Sequence, residues 1–251
     1  MRISRPAMLW FQLVERVKDT LLLGLCAAMV FPGTGAQGGT RENPFSQARE
    51  GFLMLDKESL AKRVEALDKR QAEMIRAKET KLEQIATPFF QDGSIYSVTY
   101  LMRTRPIVFT IGSAGSGFTV FLASNPEGYI ELAQKAGLRL DSSEMRLAYL
   151  TTFLETTRSF AHRFQILKSV NEIQPRPNLS EPDTHRFREL LDKYRSVIRP
   201  PQISDRIPWE CVVFALRRQN LVRIELKLTA DGRIQANEMI LEENVPIPYT
   251  L

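Results

Sequence analysis

Residues 222–229 carry the pattern that most restricts the fold of this chain. Four aliphatic residues alternate with four polar ones, in the order Val-Arg-Ile-Glu-Leu-Lys-Leu-Thr. A period of two places neighbouring side chains on opposite faces of a β-strand, so one face is buried and the other is in water. Asp231 and Gly232 follow, a pair that is favoured in tight hairpin turns because it accepts positive φ angles. We therefore predict a three-stranded antiparallel meander over about 209–241.

A second group of β-forming residues lies at about 94–123. Aromatic and aliphatic residues alternate with polar ones near Tyr96, and two apolar runs follow at 106–111 and 118–123. The six residues between these runs include three glycines, and a short glycine-containing loop between two β runs is typical of a hairpin. We predict an α+β fold in which the β blocks at about 94–123 and 209–241 form one curved sheet packed by helices.

Apolar residues at helical spacing predict the helices. The longest covers about 57–86, begins after Asp56 and places Leu60 and Val64 on one face. Such a helix would be roughly 45 Å long, so we expect it to cross the sheet or to pair with a second copy. Shorter helices are predicted to start near 126, 143 and 181. Residues 160–173 suit either a helix or a strand, and we favour a strand over about 163–173.

The N-terminal residues resemble an export signal. Eleven apolar residues at 21–31 follow several basic ones, and Pro32 and Gly33 come directly after them. This run is too short to span a membrane, which takes about 20 residues, but it has the length of a signal-peptide core. We expect cleavage near Ala36, a spacer at 37–44, and a secreted or periplasmic chain without a transmembrane span. Translation starts at Met1 or at Met8.

The remaining residues, 45–251, are predicted to form a single domain. The chain is 43% hydrophobic and 25% charged, which is ordinary for a globular protein. A proline-rich connector at 174–208 separates its two halves. The net charge of +5 falls to +3 without residues 1–36, because 30 basic and 27 acidic residues remain. A charge this small is not typical of nucleic-acid binding, for which basic residues gather on one face.

Cys211 with His162 or His185 is the pairing that suggests catalysis. A thiol nucleophile with a histidine base needs the two side chains to be neighbours only in the folded chain. However, Cys211 lies in the middle of a predicted strand, where cysteine usually packs as a small apolar residue. Buried packing is therefore the favoured interpretation of Cys211.

Glu181, Asp183 and His185 are the candidates for a metal site, because they recur at alternate positions. A zinc site usually takes further His or Cys ligands, and the chain has two histidines and two cysteines. Asp183 is also explained by its place in the first turn of a helix. We therefore predict no metal and no cofactor.

Two functions are consistent with these residues. The first is an exported, non-catalytic module that binds a protein, a glycan or an envelope component, or that associates with itself through the 57–86 helix. The alternative is an exported hydrolase in which the fold brings Glu210, Glu225 or Glu238 together with a histidine. Because two histidines restrict the usual choice of catalytic base, binding is the preferred prediction.

Overall fold

The computed structural model describes residues 55–102 and 105–248. The predicted signal peptide at 1–36, the spacer at 37–44 and the choice between Met1 and Met8 lie outside these residues. Among the helices in the described part of the chain, none is long and apolar enough to cross a membrane.

Five α-helices and nine β-strands form within the described residues. The helices are α1 (Lys57–Glu65), α2 (Lys69–Arg76), α3 (Pro126–Lys135), α4 (Ser143–Thr156) and α5 (Glu181–Tyr194). The strands are β1 (Thr80–Ile85), β2 (Gly93–Tyr100), β3 (Ile107–Ala114), β4 (Thr119–Phe121), β5 (Phe164–Leu167), β6 (Gln202–Ile203), β7 (Trp209–Arg217), β8 (Asn220–Leu228) and β9 (Ile234–Glu242). A short 3₁₀ turn covers Val170–Glu172.

The strands form two antiparallel sheets, which confirms the α+β class. The first has the order β1-β2-β3-β4, and the second has the order β5-β7-β8-β9, with β6 also paired to β7. The prediction of one curved sheet is wrong. Helices α3 and α4 contribute Tyr129 and Tyr149 to a central core, which also includes Ile95 of the first sheet and Ile224 of the second. The β blocks therefore enclose helices instead of pairing with each other.

Two smaller cores cover the outer faces of the sheets. Helices α1 and α2 pack on the first sheet through Leu60 and Ile75, against Tyr96 and Val98. Helix α5 packs on the second sheet together with the C-terminal segment, where Val245 is fully buried. The molecule thus alternates helical and β layers, and α3 and α4 each bury one face in the core between the sheets.

The prediction of a single helix over 57–86 is wrong. Asp56 caps α1 and Asp68 caps α2, each by accepting a main-chain N–H three residues ahead. Residues 80–85 form β1, in which Leu82 pairs with Val98. Leu82 fits a helical stripe, but it also belongs to an alternation of Thr, Leu and Gln with Lys and Glu. Pairing with β2 decides between the two patterns.

The meander prediction is confirmed. Strands β7, β8 and β9 are consecutive neighbours, and Val222, Ile224, Leu226 and Leu228 are all buried in the central core. The turn into β9 is wider than a two-residue hairpin: Gly232 has a φ of 82°, while Asp231 is not among the residues with positive φ. A type I turn followed by a left-handed glycine is a common three-residue hairpin loop.

The β-strand that follows α4 is shorter than predicted. The strand expected over about 163–173 is β5, Phe164–Leu167, followed by the 3₁₀ turn. The connector at 174–208 contains α5, the short β6 and a cis peptide bond between Ile207 and Pro208.

Candidate functional site

Strand β9 is an open edge of the second sheet, paired only with β8. It is nine residues long, whereas the other edge strands of the described chain, β1, β4, β5 and β6, have six, three, four and two residues. Residues 235–240 are exposed, including Met239 at 46% and Ile240 at 47%. Proteins usually shorten, charge or cover such edges because their free main-chain groups pair with other strands. β9 is therefore the described edge best suited to accept another strand.

The turn before β9 shows which of its main-chain groups face outward. The N–H of Thr229 donates to the carbonyl oxygen of Arg233 over 3.0 Å, so these residues form a hydrogen-bonded pair. Bonded and non-bonded pairs alternate along an antiparallel ladder, which gives residues 235, 237 and 239 the bonds to β8. The main-chain groups of 234, 236, 238 and 240 consequently point away from β8. Within the described residues, no other hydrogen bond satisfies them.

A cleft of about 490 Å³ lies between helix α3 and the start of β9. The four helical positions in its lining follow the spacing i, i+3, i+4 and i+7, so they form one face of α3. The lining residues are Glu127, Ile130, Glu131, Gln134, Arg233, Ile234 and Gln235. The cleft thus places an apolar pair and polar side chains beside the open edge.

Helix α3 is held firmly by its opposite face. Asn125 caps it by accepting the N–H of Gly128 over 3.0 Å, and Pro126 occupies the first helical position. The hydroxyl of Tyr129 donates to the carbonyl oxygen of Tyr149 over 2.8 Å, and their ring centroids lie 5.1 Å apart. Because this face is buried in the central core, α3 presents the cleft residues in a fixed orientation.

The cleft carries two carboxylates without a cationic partner. Glu127 and Glu131 are exposed, and no ion pair joins either to another described residue. The cation in the lining, Arg233, is already paired with Asp231 at 3.0 Å. A hydrogen bond from Thr229 holds the pKa of Asp231 below its usual range. The net charge of the cleft is negative.

The far half of β9 is fixed by ion pairs. Glu238 accepts from Arg217 at 2.6 Å. Glu242 accepts from Lys193 and, over 3.0 Å, from the hydroxyl of Tyr194. The bond from Lys193 lowers the pKa of Glu242. These contacts tie the far half of β9 to β7 and α5.

Cys211 lies in the central core and is 1% exposed. Burial raises the pKa of its thiol to about 11, which opposes the thiolate that a nucleophile requires. His162 lies before β5, and its Nε2 atom is 2.9 Å from an Nη atom of Arg218. Burial, and then Arg218 and Arg217, lower the pKa of His162. No hydrogen bond among the described residues joins Cys211 to His162 or to His185.

The metal candidates lie in the first two turns of α5. Asp183 accepts from Arg176 at 2.7 Å, which lowers the pKa of Asp183. His185 is exposed, and its Nδ1 atom lies 3.4 Å from Glu189. Glu181 is exposed at the helix start. Over residues 55–102 and 105–248, no group of three or more His, Cys, Asp or Glu side chains is arranged to hold a metal ion.

The acids of the hydrolase hypothesis do not share one surface. Glu210 pairs with Lys227 and Glu225 with Arg223, on the face of the sheet opposite the central core. Glu238 lies opposite Ile224 in the ladder and so belongs to the other face. The sheet itself separates these carboxylates.

The β9 edge was missed by the sequence interpretation, although one signal of it is present. Residues 234–242 read Ile-Gln-Ala-Asn-Glu-Met-Ile-Leu-Glu, which lacks the strict alternation of β8. Adjacent Met239 and Ile240 cannot share one buried face of a strand. This loss of period is typical of a strand that is only partly covered.

No family model, curated protein sequence or solved structure matches this chain.

Proposed function

We propose that this chain is a non-catalytic binding module that takes up an extended polypeptide segment along β9. The observation that supports the proposal is the nine-residue open edge beside the α3 cleft. In strand addition, main-chain hydrogen bonds supply affinity, and pockets for alternate side chains supply specificity. Both requirements have counterparts here, in the outward main-chain groups of β9 and in the cleft.

The bound segment would lie about 4.8 Å from β9. Its main chain would bond to the outward groups of Ile234, Ala236 and Glu238. Side chains on one of its faces would cover Ile130 and Ile234 in the cleft, and those on its other face would lie toward the exposed side of Met239. The α3 helix would act as a wall that sets the position of the segment.

The location of the protein is part of the same proposal. The apolar run at 21–31 and the small residues before Gln37 support export. A secreted or periplasmic module of this kind would meet protein partners or envelope components that expose an extended segment.

Strand addition is tested with peptides selected from a random library on phage, using the full chain as the target. Selected peptides are then measured by isothermal titration calorimetry against Ala236→Pro and against the matched control Ala236→Val. Proline removes an outward N–H, whereas valine keeps it and suits a strand. We expect proline to weaken binding at least about tenfold, because the loss of one main-chain hydrogen bond corresponds to about that change in affinity. Valine should leave the affinity nearly unchanged.

An N-methyl scan of the selected peptide makes the test specific. Only alternate N–H groups of an added strand point toward β9. Methylation should therefore abolish binding at every second position and be tolerated between them. Equal binding to wild type and Ala236→Pro, or a scan without a period of two, would reject the proposal.

A further inference from the structure

We infer that the segment bound at β9 is cationic, with two Lys or Arg residues separated by one residue. This inference rests on the proposed function and adds the chemical class of the ligand. It is carried by Glu127 and Glu131, which line the cleft beside the strand edge and have no cationic partner among the described residues.

The two glutamates repel each other in the free protein. They occupy positions i and i+4 of α3, where like charges destabilise a helix. Arg233 does not relieve this repulsion because it is paired with Asp231 at 3.0 Å. A cation from the ligand would therefore gain an attraction and remove a repulsion at the same place.

The spacing of the glutamates suits an extended ligand. Four helical residues rise about 6 Å along the axis of α3. Alternate residues of a β-strand are about 6.7 Å apart and point to the same side. The cations of a Lys-x-Lys or Arg-x-Arg segment thus have a spacing that matches the spacing of the two carboxylates. Adjacent cations would point to opposite sides.

The same charges argue against a second copy of the chain as the occupant. Antiparallel pairing of two β9 strands would add only the charged residues Glu238 and Glu242 of the other copy, because Ile234–Glu242 contains no Lys or Arg. A second β9 would leave Glu127 and Glu131 without a cation and increase the negative charge. A basic segment is therefore complementary in charge to the cleft, whereas a second β9 strand is not.

The test uses three labelled peptides of the sequence Thr-Val-X-Val-X-Val-Thr, in which X is Lys, Gln or Glu. Binding to the full chain is followed by fluorescence anisotropy at low and at high salt. Two exposed ion pairs predict a preference for the lysine peptide over the glutamine peptide of roughly three- to tenfold at low salt. The glutamate peptide should bind more weakly than either, and salt should reduce the differences.

A matched pair of variants assigns the preference to the cleft. Glu127→Gln with Glu131→Gln should remove it. Glu73→Gln with Glu79→Gln, at two exposed glutamates outside the cleft, changes the net charge of the chain by the same two units and should preserve the preference. Loss of the preference in both double variants would mean that overall charge, and not the cleft, attracts the lysine peptide.

The outcomes separate this inference from the proposed function. If all three peptides bind equally and Ala236→Pro weakens each of them, strand addition stands and the cationic inference falls. If the lysine peptide does not bind, the inference falls as well. If Ala236→Pro leaves lysine-peptide binding unchanged, the peptide is not an added strand. A dimer in analytical ultracentrifugation that Ala236→Pro dissociates would show that a second copy occupies the edge.

Discussion

The hydroxyl of Tyr149 donates a hydrogen bond of 2.8 Å to the main-chain carbonyl oxygen of Gly232. Tyr149 is fully buried in α4, and Gly232 is the last residue of the loop before Arg233 and β9. The bond therefore connects the helical layer between the sheets to the turn that positions the proposed binding edge. Tyr129, which donates to Tyr149, extends the connection to α3.

Tyr149→Phe should loosen this turn. The buried carbonyl oxygen of Gly232 would lose its side-chain donor, which typically costs about 1–3 kcal/mol. We expect the amides of Thr229 and Gly232 to exchange faster with deuterium. Tyr129→Phe is the matched control, since it removes a buried hydroxyl that does not contact the turn. Similar exchange at both amides in the two variants would contradict a specific role for Tyr149.

Gly232→Ala should destabilise the protein more than Gly117→Ala. Both glycines have positive φ, 82° and 86°, which costs other residues about 1–2 kcal/mol. At Gly232 an added Cβ would also lie 2.3 Å from Cδ2 of Leu138, whereas at Gly117 it would meet nothing within 4 Å. We expect a loss of about 1 kcal/mol at Gly117 and about 2–3 kcal/mol at Gly232. Urea unfolding measures the difference, and equal losses would show that Leu138 moves aside freely.

Proline at two adjacent positions of β9 should change stability by unequal amounts. The N–H of Ala236 points outward, so Ala236→Pro should change the free energy of unfolding by no more than about 1 kcal/mol. The N–H of Asn237 bonds to β8, so Asn237→Pro should cost about 3 kcal/mol. Thermal or urea unfolding measures the two losses of stability. A larger loss for Ala236→Pro than for Asn237→Pro would mean that the N–H of Ala236, and not that of Asn237, bonds to β8.

Cys211 should make stability fall at alkaline pH. Burial raises the pKa of its thiol from 9.0 to about 11, so the folded state holds the proton more tightly than the unfolded state. This contribution is fully present below pH 9 and is lost as the pH rises toward 11. Wild type should therefore lose more stability than Cys211→Ala between pH 9 and 11. Urea unfolding across this range should give converging curves, and parallel curves would contradict the prediction.

The meander was predictable because the sequence pattern that indicates it lies within a few neighbouring residues. A period of two over eight residues reports one buried face whichever strands lie beside it. The helix starts after Asn125 and Ser180 were predictable for a similar reason, since a capping side chain and the N–H that donates to it lie within three residues of each other.

The interpretation of 57–86 failed where local signals competed. Asp68 is a cap in the structure, but in the sequence it is one acid among many charged residues. Leu82 suits a helix or a strand, and only its pairing with Val98 settles the choice. Short apolar runs of this kind are ambiguous until a partner is known.

The candidate site was beyond prediction because it is defined by neighbours that are distant in sequence. The acidic face of α3 and the start of β9 are about a hundred residues apart in the chain, and the packing of the central core brings them together. Whether a strand lies at an edge depends on the order of all strands in its sheet, which hydrophobic pattern does not specify.

Residue pattern alone determined the β-strands of the meander, several helix starts and the burial of Cys211, because each depends on the alternation or capping of nearby residues. The tertiary structure decided that the two β blocks form separate sheets, that 57–86 divides into α1, α2 and β1, and that β9 is left open beside Glu127 and Glu131. These features follow from which surfaces pack together, and packing joins residues whose separation along the chain carries no signal of their contact.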